Sequence, residues 1–285
     1  MTVPGASPRG GTMTVVVKIG GARAVDPAGA LSDIAGLTED GTDIVVVHGG
    51  STAVDDTLEA LGESPEYVET PSGVVGRFTD ERTMEVFSMV LPGKLNTSLV
   101  TELTDAGVDA VGLSGVDGGL LTGPRKSAVR VLEDGKKKIR RGDHSGRIDS
   151  VNDTLLTTLL DDGYTPVVTV PMLADDGVAV NADADRAAAA IAGALGGELI
   201  LLTDVPGVLE DIDDTSSVIE TVETPAGYER LTEAAEGFMT RKVMAATEAL
   251  DGGARSATIS SANSDAPVGD ALKRATGTTI FPEAV

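Results

Sequence analysis

The sequence predicts an α/β protein, a three-layer αβα sandwich around a mainly parallel sheet. Three observations lead to this prediction. Aliphatic and β-branched segments alternate with helical patterns along the chain, and strand, glycine turn and helix follow one another twice within the first sixty residues. Apolar residues make up 41% of the chain but aromatic residues only 2%, so aliphatic side chains must form the core. The length of 285 residues permits one elaborate domain or two lobes around a cleft.

The first two units set the pattern of the predicted sheet. The glycine pairs Gly20-Gly21 and Gly49-Gly50 each follow a short apolar strand and precede a helical pattern. This alternation is typical of parallel strands joined by helices. The predicted elements are a strand over 14–19, a helix over 27–37, a strand over 43–47 and a helix that ends near Leu61.

The rest of the chain continues the alternation. Two amphipathic helices are expected over 81–91 and 94–106, broken at Pro92-Gly93. Residues 128–148 alternate apolar and charged side chains around Asp134-Gly135, which predicts a hairpin with a charged, exposed face. The remaining predicted elements are strands over 109–113, 166–170, 198–202 and 255–260, and helices over 150–161, 181–195 and 232–250.

The predicted domain organisation is a short extension followed by two lobes. Residues 1–12 are rich in Gly, Pro and Ser and are expected to be disordered. Neither an internal repeat nor a linker longer than a loop interrupts the remainder. A boundary near residue 180 would therefore separate two lobes, 13–180 and 181–285, of one continuous sheet.

The chain is strongly acidic, with 45 acidic and 22 basic residues and a formal net charge of −23. Abundant carboxylates and only 8 lysines resemble the composition of proteins from salt-loving organisms, so we expect a halophilic source. The same composition argues against nucleic-acid binding, which requires a basic face. The basic residues are unevenly placed, however: the segment 125–147 has a net charge of +6, which leaves −29 for the rest.

Cellular location can also be predicted. Cysteine is absent, which excludes disulfides and thiolate chemistry. The longest uncharged apolar runs have strand length, far below the roughly 20 residues of a membrane helix, and the first twelve residues lack the layout of a secretion signal. We expect a cytoplasmic protein that does not bind membranes.

The strand ends contain candidate anion-binding groups. Glycine turns before helices can direct backbone N–H groups at phosphate or carboxylate oxygens, although any α/β protein uses glycine in tight connections. Lys18 ends an otherwise apolar strand, where an ammonium is costly to bury unless it meets an anion; a surface lysine is the alternative. Lys242 follows Arg241 near the start of a predicted helix. It could bind an anion or, equally, lie on the solvent-exposed face of that helix.

Five ordered motifs carry a resemblance to a known family. They are Lys18-Ile19-Gly20-Gly21, Val46 to Gly50, Asn181 to Asp185, Leu201 to Val208, and Gly237 to Val243. Over residues 13–285 they resemble the amino acid kinase family, which has a carbamate kinase-like fold, and most of all its acetylglutamate kinase branch. The segment 72–80 is similar to that of members that phosphorylate a carrier-bound substrate.

The resemblance implies transfer of the ATP γ-phosphoryl group to a side-chain carboxylate, which gives an acyl phosphate in arginine biosynthesis, with lysine biosynthesis as a second role. The substrate would be glutamate or α-aminoadipate joined through its amino group to an acidic LysW-type carrier protein. These two differ by one methylene, and no residue distinguishes them, although the composition favours glutamate. The alternatives are a free N-acetylglutamate kinase and, in a different class, a non-catalytic amino-acid-binding regulator.

The resemblance also implies roles for individual residues. Lys18 and Lys242 would flank the transferring group, and Asp185 would organise both lysines. The implied substrate-binding residues are Gly49, Gly50, Arg77, which would hold the α-carboxylate, and Asn181. The implied ATP-binding residues are Gly20, Gly21, Thr203, Asp204 and Gly207. The lobe 13–180 would then bind the amino acid and the lobe 181–285 ATP, with Mg²⁺ held mainly by the phosphates rather than by protein ligands.

Two residues depart from the family pattern. Ser51 stands where acetylglutamate kinases commonly have a third glycine, and Phe238 replaces a frequent glycine. The resemblance further implies a homodimer. It also suggests a function for the basic segment as a carrier docking surface, for which a solvated hairpin face is the alternative. The predicted docking residues are Lys136, Lys137, Lys138, Arg140 and Arg141.

Overall fold

The computed structural model describes residues 13–20, 27–71, 73, 75–133 and 135–285, so the extension over 1–12 lies outside the described residues. The described strands are β1 (Thr14–Ile19), β2 (Asp43–His48), β3 (Tyr67–Glu69), β4 (Val75–Arg77), β5 (Ala110–Gly115), β6 (Leu121–Gly123), β7 (Arg125–Glu133), β8 (Lys136–Gly146), β9 (Ser150–Val151), β10 (Thr165–Ala174), β11 (Ala179–Val180), β12 (Glu198–Thr203), β13 (Thr221–Val222), β14 (Ser256–Ser261) and β15 (Thr278–Ile280). The described helices are α1 (Pro27–Glu39), α2 (Ser51–Ala60), α3 (Glu81–Met89), α4 (Asn96–Asp105), α5 (Asp153–Asp161), α6 (Ala184–Leu195), α7 (Pro225–Ala234), α8 (Phe238–Asp251) and α9 (Pro267–Leu272).

Within the described residues, eleven strands form one sheet. Its order is β13-β15-β14-β12-β1-β2-β10-β6-β9, and β5 and β11 also pair with β10. The central pairs β12–β1, β1–β2 and β2–β10 are parallel, and antiparallel pairs occur only towards the ends of the sheet and at β11. The predicted fold class is confirmed. The hairpins β3–β4 and β7–β8 lie outside this sheet.

The alternation of side chains along β1 defines the three layers. Val15, Val17 and Ile19 pack with α1, α4 and α9 on one face of the sheet. Val16 packs on the other face, in a core that includes buried residues of α6 and α8. Because side chains on a strand alternate, Lys18 shares the face of Val16 and is directed towards the layer formed by α6 and α8.

The predicted break at Pro92-Gly93 is wrong. The chain remains helical from α3 to α4 through one π-helical turn, Val90–Leu95. Proline lacks only one N–H group, and the wider π turn accommodates its ring. The buried side chains of Val90 and Leu91 hold this turn against the core.

The single helix predicted over 232–250 is also wrong, because the chain forms two helices there. Thr224 caps the first of these, α7, by accepting a hydrogen bond from the Gly227 N–H, and Pro225 occupies its first position. Ala235 leaves the helical conformation, and Gly237 adopts φ 55° and ψ −120°, which glycine tolerates readily. Helix α8 therefore begins anew at Phe238, and this places Lys242 in its second turn.

Candidate active site

Three charged side chains meet at the end of β1. Lys18, the fifth residue of β1, is only 7% exposed, and its Nζ lies 2.6 Å from Asp185 Oδ1. Lys242 Nζ donates to the other oxygen of the same carboxylate, Asp185 Oδ2, over 3.3 Å. The structure thus brings the three predicted catalytic residues together as one cluster, with the carboxylate between the two ammonium groups.

The positions of Asp185 and Lys242 follow from local structure. Asp183 caps α6, because its Oδ1 accepts hydrogen bonds from the N–H groups of Asp185 and Arg186 at 2.9 Å and 3.1 Å. Asp185 lies in the first turn of α6, where the helix dipole favours a carboxylate. Helices α6 and α8 approach closely, since a Cβ on Gly193 would lie 3.0 Å from the backbone of Gly252.

The charges in this cluster depend on one another. Burial opposes ionisation of Asp185, but attraction to Lys18 and Lys242 outweighs it, so the pKa of the carboxyl lies below its ordinary value. Burial and repulsion from Lys18 lower the pKa of the Lys242 ammonium, against the attraction of Asp185. Two lysines on one carboxylate carry a formal excess of positive charge, which a further anion can balance.

A cleft of about 570 Å³ opens beside this cluster. The predicted residues that line it are Gly49, Gly50, Arg77, Asn181, Asp185 and Lys242. Gly50 has no room for a side chain, since a Cβ would lie 2.2 Å from Leu95 Cδ1 and 2.6 Å from Leu91 Cδ2. The π-helical turn therefore packs directly against the glycine backbone at the start of α2.

The buried side chain of His48 stabilises the glycine turn at Gly49-Gly50. His48 Nε2 lies 3.1 Å from Asn96 Nδ2, which also donates to the Val167 carbonyl at 2.8 Å. Because Nε2 accepts from this amide, Nδ1 carries the proton and donates to the Gly49 carbonyl at 2.8 Å. Burial lowers the pKa of His48 to about 4, so the ring is neutral at pH 7. Both ring nitrogens are engaged, and the ring acts as a support for the turn.

Arg77 lies in the cleft wall, where protein groups contact both of its Nη atoms. Its Nη1 lies 2.5 Å from Asp55 Oδ1, and its Nη2 donates to Tyr67 Oη at 2.9 Å and to Ser51 Oγ at 3.1 Å. Tyr67 Oη in turn donates to Asp55 Oδ2 at 2.8 Å, and the guanidinium lies 5.5 Å from the Phe87 ring centre. The family departure at Ser51 thus gives Arg77 one of its partners.

Strand β8, the second strand of the basic hairpin, binds Asn181 through backbone hydrogen bonds. Its backbone N–H donates to the His144 carbonyl, and its carbonyl accepts from the Gly146 N–H, both at 2.8 Å. Its side-chain Nδ2 donates to Thr79 Oγ1 at 3.2 Å. The buried Asp143 of the same strand accepts a hydrogen bond from Ser145 Oγ. The β8 strand therefore fixes the position of Asn181 in the cleft.

Among the described residues, none of the predicted ATP-binding residues lines the 570 Å³ cleft. Strand β12 runs parallel to β1, with Leu201 opposite Lys18, so Thr203 ends β12 at the same edge of the sheet as Gly20. Thr203 Oγ1 donates to Asp204 Oδ1 at 3.1 Å. Gly207 packs closely, since a Cβ there would lie 2.8 Å from Thr278 Oγ1. Gly21 lies outside the described residues.

The predicted docking residues occupy the β7–β8 hairpin, which the structure confirms as a hairpin. They do not form one uniform surface. Lys138 is paired with Glu133 at 2.9 Å, and Arg140 is paired with Glu66. Lys136, Lys137 and Arg141 have no acidic partner within the described part of the chain.

Sequence reasoning missed several residues around the cleft. Asp55, Tyr67 and Asp143 look like ordinary surface residues in the sequence, because each acts through a partner that only the tertiary fold brings near. Asn96, within a helix that is polar on one face, gives no sign of its contact with His48. A detectable signal was present only at Asp183, where an Asp before a helical run predicts an N-cap.

Two structural features are absent from the described residues. Across the described residues, no cluster of three or more His, Cys, Asp or Glu side chains has an arrangement that could hold a metal ion. Among the helices of the same residues, none has the length and apolar character needed to cross a membrane.

The fold and the cluster together define a phosphotransferase. Two ammonium groups beside a helix-capping glycine turn can stabilise the charge that a phosphoryl group carries during transfer, and transfer of this kind depends mainly on positioning and electrostatics. More specifically, the chain belongs to the amino acid kinase family, to which residues 13–261 match. The predicted family membership is thereby confirmed.

Individual relatives refine this assignment. The chain is 44% identical over 260 residues to a LysW-aminoadipate kinase of Deinococcus radiodurans, covering 90% of this chain and 88% of that protein. It is 42% identical over 247 residues to an acetylglutamate kinase of Methanopyrus kandleri, covering 86% and 93% of the two chains. The crystal structure of a carbamate kinase from Giardia lamblia bound to AMP-PNP shares the fold, with a TM-score of 0.66 at 17% identity over 95% of this chain and 98% of that one.

Proposed function

We propose that this chain phosphorylates the side-chain carboxylate of glutamate or α-aminoadipate attached through its amino group to a LysW-type carrier protein, with ATP as the phosphoryl donor. The observation that carries the proposal is the placement of Lys18 and Lys242 on opposite oxygens of Asp185 at the cleft. The similarity to a LysW-aminoadipate kinase supports the carrier-linked substrate. The product is an acyl phosphate, which belongs in arginine biosynthesis and, for aminoadipate, in lysine biosynthesis.

The reaction needs no general base. The acceptor is a carboxylate, which is ionised at neutral pH with an ordinary pKa of about 4.3, so no proton has to leave it. One of its oxygens attacks the γ-phosphorus, the bond from that phosphorus to the β,γ-bridging oxygen breaks, and ADP leaves with the electron pair. Negative charge spreads over the transferring oxygens and the bridging oxygen, and Lys18 and Lys242 stabilise that charge.

Asp185 has the task of positioning both lysines. Without its carboxylate the two ammonium groups would repel each other and move apart. With it, each ammonium keeps N–H groups that can be directed at phosphoryl oxygens. The glycine turn at Gly49-Gly50 supplies backbone donors to the acceptor, and Asn181 and Arg77 orient the amino acid portion of the substrate.

Magnesium fits this site as a partner of the nucleotide. Both oxygens of Asp185 are already engaged by lysines, and the described residues offer no cluster of protein ligands. An Mg²⁺ ion would therefore be held mainly by ATP phosphates and water, and it would neutralise their charge. Residues 13–180 would bind the amino acid, and residues 181–285, with Thr203, Asp204 and Gly207, would bind ATP.

Attachment to the carrier determines which groups of the substrate can contact the enzyme. An amino group tied to a carrier leaves the α-carboxylate free for Arg77, as an N-acetyl group would. We also propose that the chain forms a homodimer, as the resemblance to the family implies. The acidic composition supports a salt-rich cytoplasm as its location. The second candidate function is free N-acetylglutamate kinase, which the 42% identity to an acetylglutamate kinase favours.

One experiment separates these candidates. The purified enzyme would be incubated at high KCl with ATP, Mg²⁺ and carrier-linked glutamate, carrier-linked aminoadipate or free N-acetylglutamate. Hydroxylamine then converts any acyl phosphate into a hydroxamate that can be measured. We expect product from a carrier-linked substrate, at a kcat/KM well above that for N-acetylglutamate. Product from N-acetylglutamate alone would establish the second candidate instead.

A further inference from the structure

The β7–β8 hairpin has two chemically different faces. Residues directly opposite one another in an antiparallel pair share a face. Val129 lies opposite Arg140, and Val131 lies opposite Lys138. The neighbouring pairs, which are on the other face, are Arg130 with Ile139, Leu132 with Lys137, and Ala128 with Arg141.

The first of these faces, called the inward face below, is directed at the protein. Val131 is only 1% exposed and belongs to the core. Arg140 pairs with Glu66, and its guanidinium lies 4.2 Å from the Phe78 ring centre. Lys138 pairs with Glu133 across the hairpin. Two of the three cations of the inward face, Lys138 and Arg140, are thus already balanced by acidic groups of the chain itself. The third, Lys136, lies opposite Glu133 next to the turn of the hairpin.

The second face also carries Ala128 and Leu132, and its four exposed residues, called the outward face below, are Arg130, Lys137, Ile139 and Arg141. All four side chains are exposed, and the described part of the chain gives none of the three cations an acidic partner. Ile139 is 67% exposed and lies between Lys137 and Arg141 along the strand. In a chain of net charge −23, three unpaired cations around a bare isoleucine are unusual. An apolar centre with a charged rim is the composition of a protein interface.

The same strand leads directly to the cleft. Beyond Arg141, the His144 N–H donates to the Thr79 carbonyl at 2.7 Å, and the His144 carbonyl accepts from Asn181. Ser145 lines the cleft. At a rise of about 3.3 Å per residue, Arg141 lies roughly 13 Å and Lys137 roughly 26 Å along β8 from Ser145. These hydrogen bonds fix the outward face relative to Asn181.

We propose that the outward face is the docking surface for an acidic protein that delivers the substrate on an extended tail. The tail would span about 4 to 8 residues, since an extended chain covers roughly 3.3 Å per residue. This inference rests on the proposed function, because it assumes a substrate borne by a protein. Of the docking residues predicted from the sequence, it keeps Lys137 and Arg141. It leaves out the residues of the inward face, Lys136, Lys138 and Arg140, and adds Arg130 and Ile139. A protein suits this face better than nucleic acid does. The charge of −29 on the rest of the chain repels a polyphosphate, and the exposed side chain of Ile139 has no group that could bind phosphate.

The test compares two double variants with the same change in charge on the same hairpin. Lys137→Gln with Arg141→Gln alters the outward face, and Lys138→Gln with Arg140→Gln alters the inward face. The dissociation constant would be measured by fluorescence anisotropy of the labelled LysW-type carrier protein loaded with glutamate. We expect the outward variant to weaken binding by about tenfold and the inward variant by less than about twofold, because contact pairs count more than net charge at high salt.

A third variant tests the apolar contact without changing charge. Ile139→Ser should weaken carrier binding by about threefold to tenfold, as expected for loss of a buried aliphatic contact. Far-ultraviolet circular dichroism and melting temperature would verify that each variant is folded. Equal losses in the outward and inward variants, or no loss in either, would overturn the docking surface. Competition by a single-stranded oligonucleotide that depends on the outward cations, with carrier binding intact, would overturn it too.

The docking proposal and the proposed function can fail separately. The catalytic variant Lys18→Ala should bind the carrier about as tightly as the parent protein, because Lys18 lies on β1 and is not part of the outward face. If no carrier-linked substrate yields hydroxamate but binding still depends on Lys137, Ile139 and Arg141, the docking surface stands and the proposed reaction fails. If hydroxamate forms and the outward variant binds and reacts normally, the docking surface fails alone.

Discussion

The carboxylate of Asp55 holds the guanidinium of Arg77 at 2.5 Å, within a network that also includes Ser51 and Tyr67. The two residues belong to different elements, α2 and β4, so the pair fastens the β3–β4 hairpin to the helix that begins at the glycine turn. Arg241 Nη2 donates to the Val75 carbonyl on the same hairpin at 2.5 Å, which links it to α8. A substrate carboxylate that binds Arg77 must share this cation with Asp55 or displace it.

Asp55→Asn should destabilise the protein, because it leaves a mostly buried guanidinium without a counter-charge. We expect a loss of about 2 kcal/mol in the free energy of unfolding, in the range for a broken buried pair after allowance for partial exposure. Urea denaturation measures it. Glu59→Gln on the exposed side of the same helix is the control and should change stability by less than about 0.5 kcal/mol. Equal effects of the two substitutions would mean that the Arg77 network contributes no specific stability.

Lys18→Ala and Lys242→Ala should each lower kcat by about 100-fold to 1,000-fold, the range for loss of one preorganised group that stabilises transition-state charge. A coupled assay of ADP release measures kcat, and the unfolding transition tests whether the variants are folded. The exposed Lys273→Ala is the control for loss of a lysine. Retention of wild-type kcat in either cluster variant would remove that lysine from the catalytic role.

Asp185→Ala should affect both folding and activity, since it leaves the buried ammonium of Lys18 and the partly buried ammonium of Lys242 without a counter-charge. We expect a loss of stability of about 3 kcal/mol, typical of an uncompensated buried charge, together with the loss of kcat. The pKa of the Asp185 carboxyl is lowered in the folded state, so its contribution to stability is present above the unfolded value near 4 and is lost as the pH falls through the folded value. Urea midpoints of the variant and the parent should therefore differ at pH 7 and converge in strong acid.

His48 should make stability depend on pH in a different window. Its pKa is lowered from 6.5 to about 4 by burial, so the folded state binds fewer protons than the unfolded state between these values. Stability is then fully present above pH 6.5 and falls as the pH decreases towards 4, with a loss of about 2 kcal/mol between pH 6.5 and 5. Urea unfolding at pH 7.5 and pH 5 measures it. His48→Gln should show less of this decrease, whereas His144→Gln should retain it; identical pH profiles for both variants would contradict the assignment.

Gly50→Ala should damage the cleft, because the new Cβ would overlap Leu91 and Leu95. We expect a loss of stability of about 1 to 3 kcal/mol from overpacking, with a lower kcat because the turn must shift. Gly36→Ala is the matched control, since its Cβ meets no atom within 4 Å in the helix α1, and alanine there should raise stability by up to about 1 kcal/mol. Differential scanning calorimetry compares the two, and a Gly50→Ala protein as stable and active as its parent would exclude the close packing.

Much of the fold could be predicted because its signals are local. Short continuous apolar runs, which are buried on both faces of the sheet, identify β1, β2 and β12 within one residue of their observed ends. The failures at 92–93 and 232–250 have a shared cause: a helical pattern in sequence does not reveal whether a π turn will absorb a proline or whether a glycine will reverse the chain. Packing of Val90 and Leu91 decided the first case and the conformation of Gly237 the second.

The sequence by itself predicted candidate anion-binding groups at the end of the first strand, and the resemblance to the family added the roles of Asp185 and Lys242. Lysine at the end of an apolar strand, acid at a helix start and glycine at the turns are local choices with local energetic reasons. Only the tertiary structure decided which charges are neutralised by one another. Arg77 forms an ion pair with Asp55, and Arg140 forms one with Glu66, whereas Lys137 and Arg141 remain unpaired within the described chain. Coulomb attraction depends on distance in space, and separation along the chain does not report that distance.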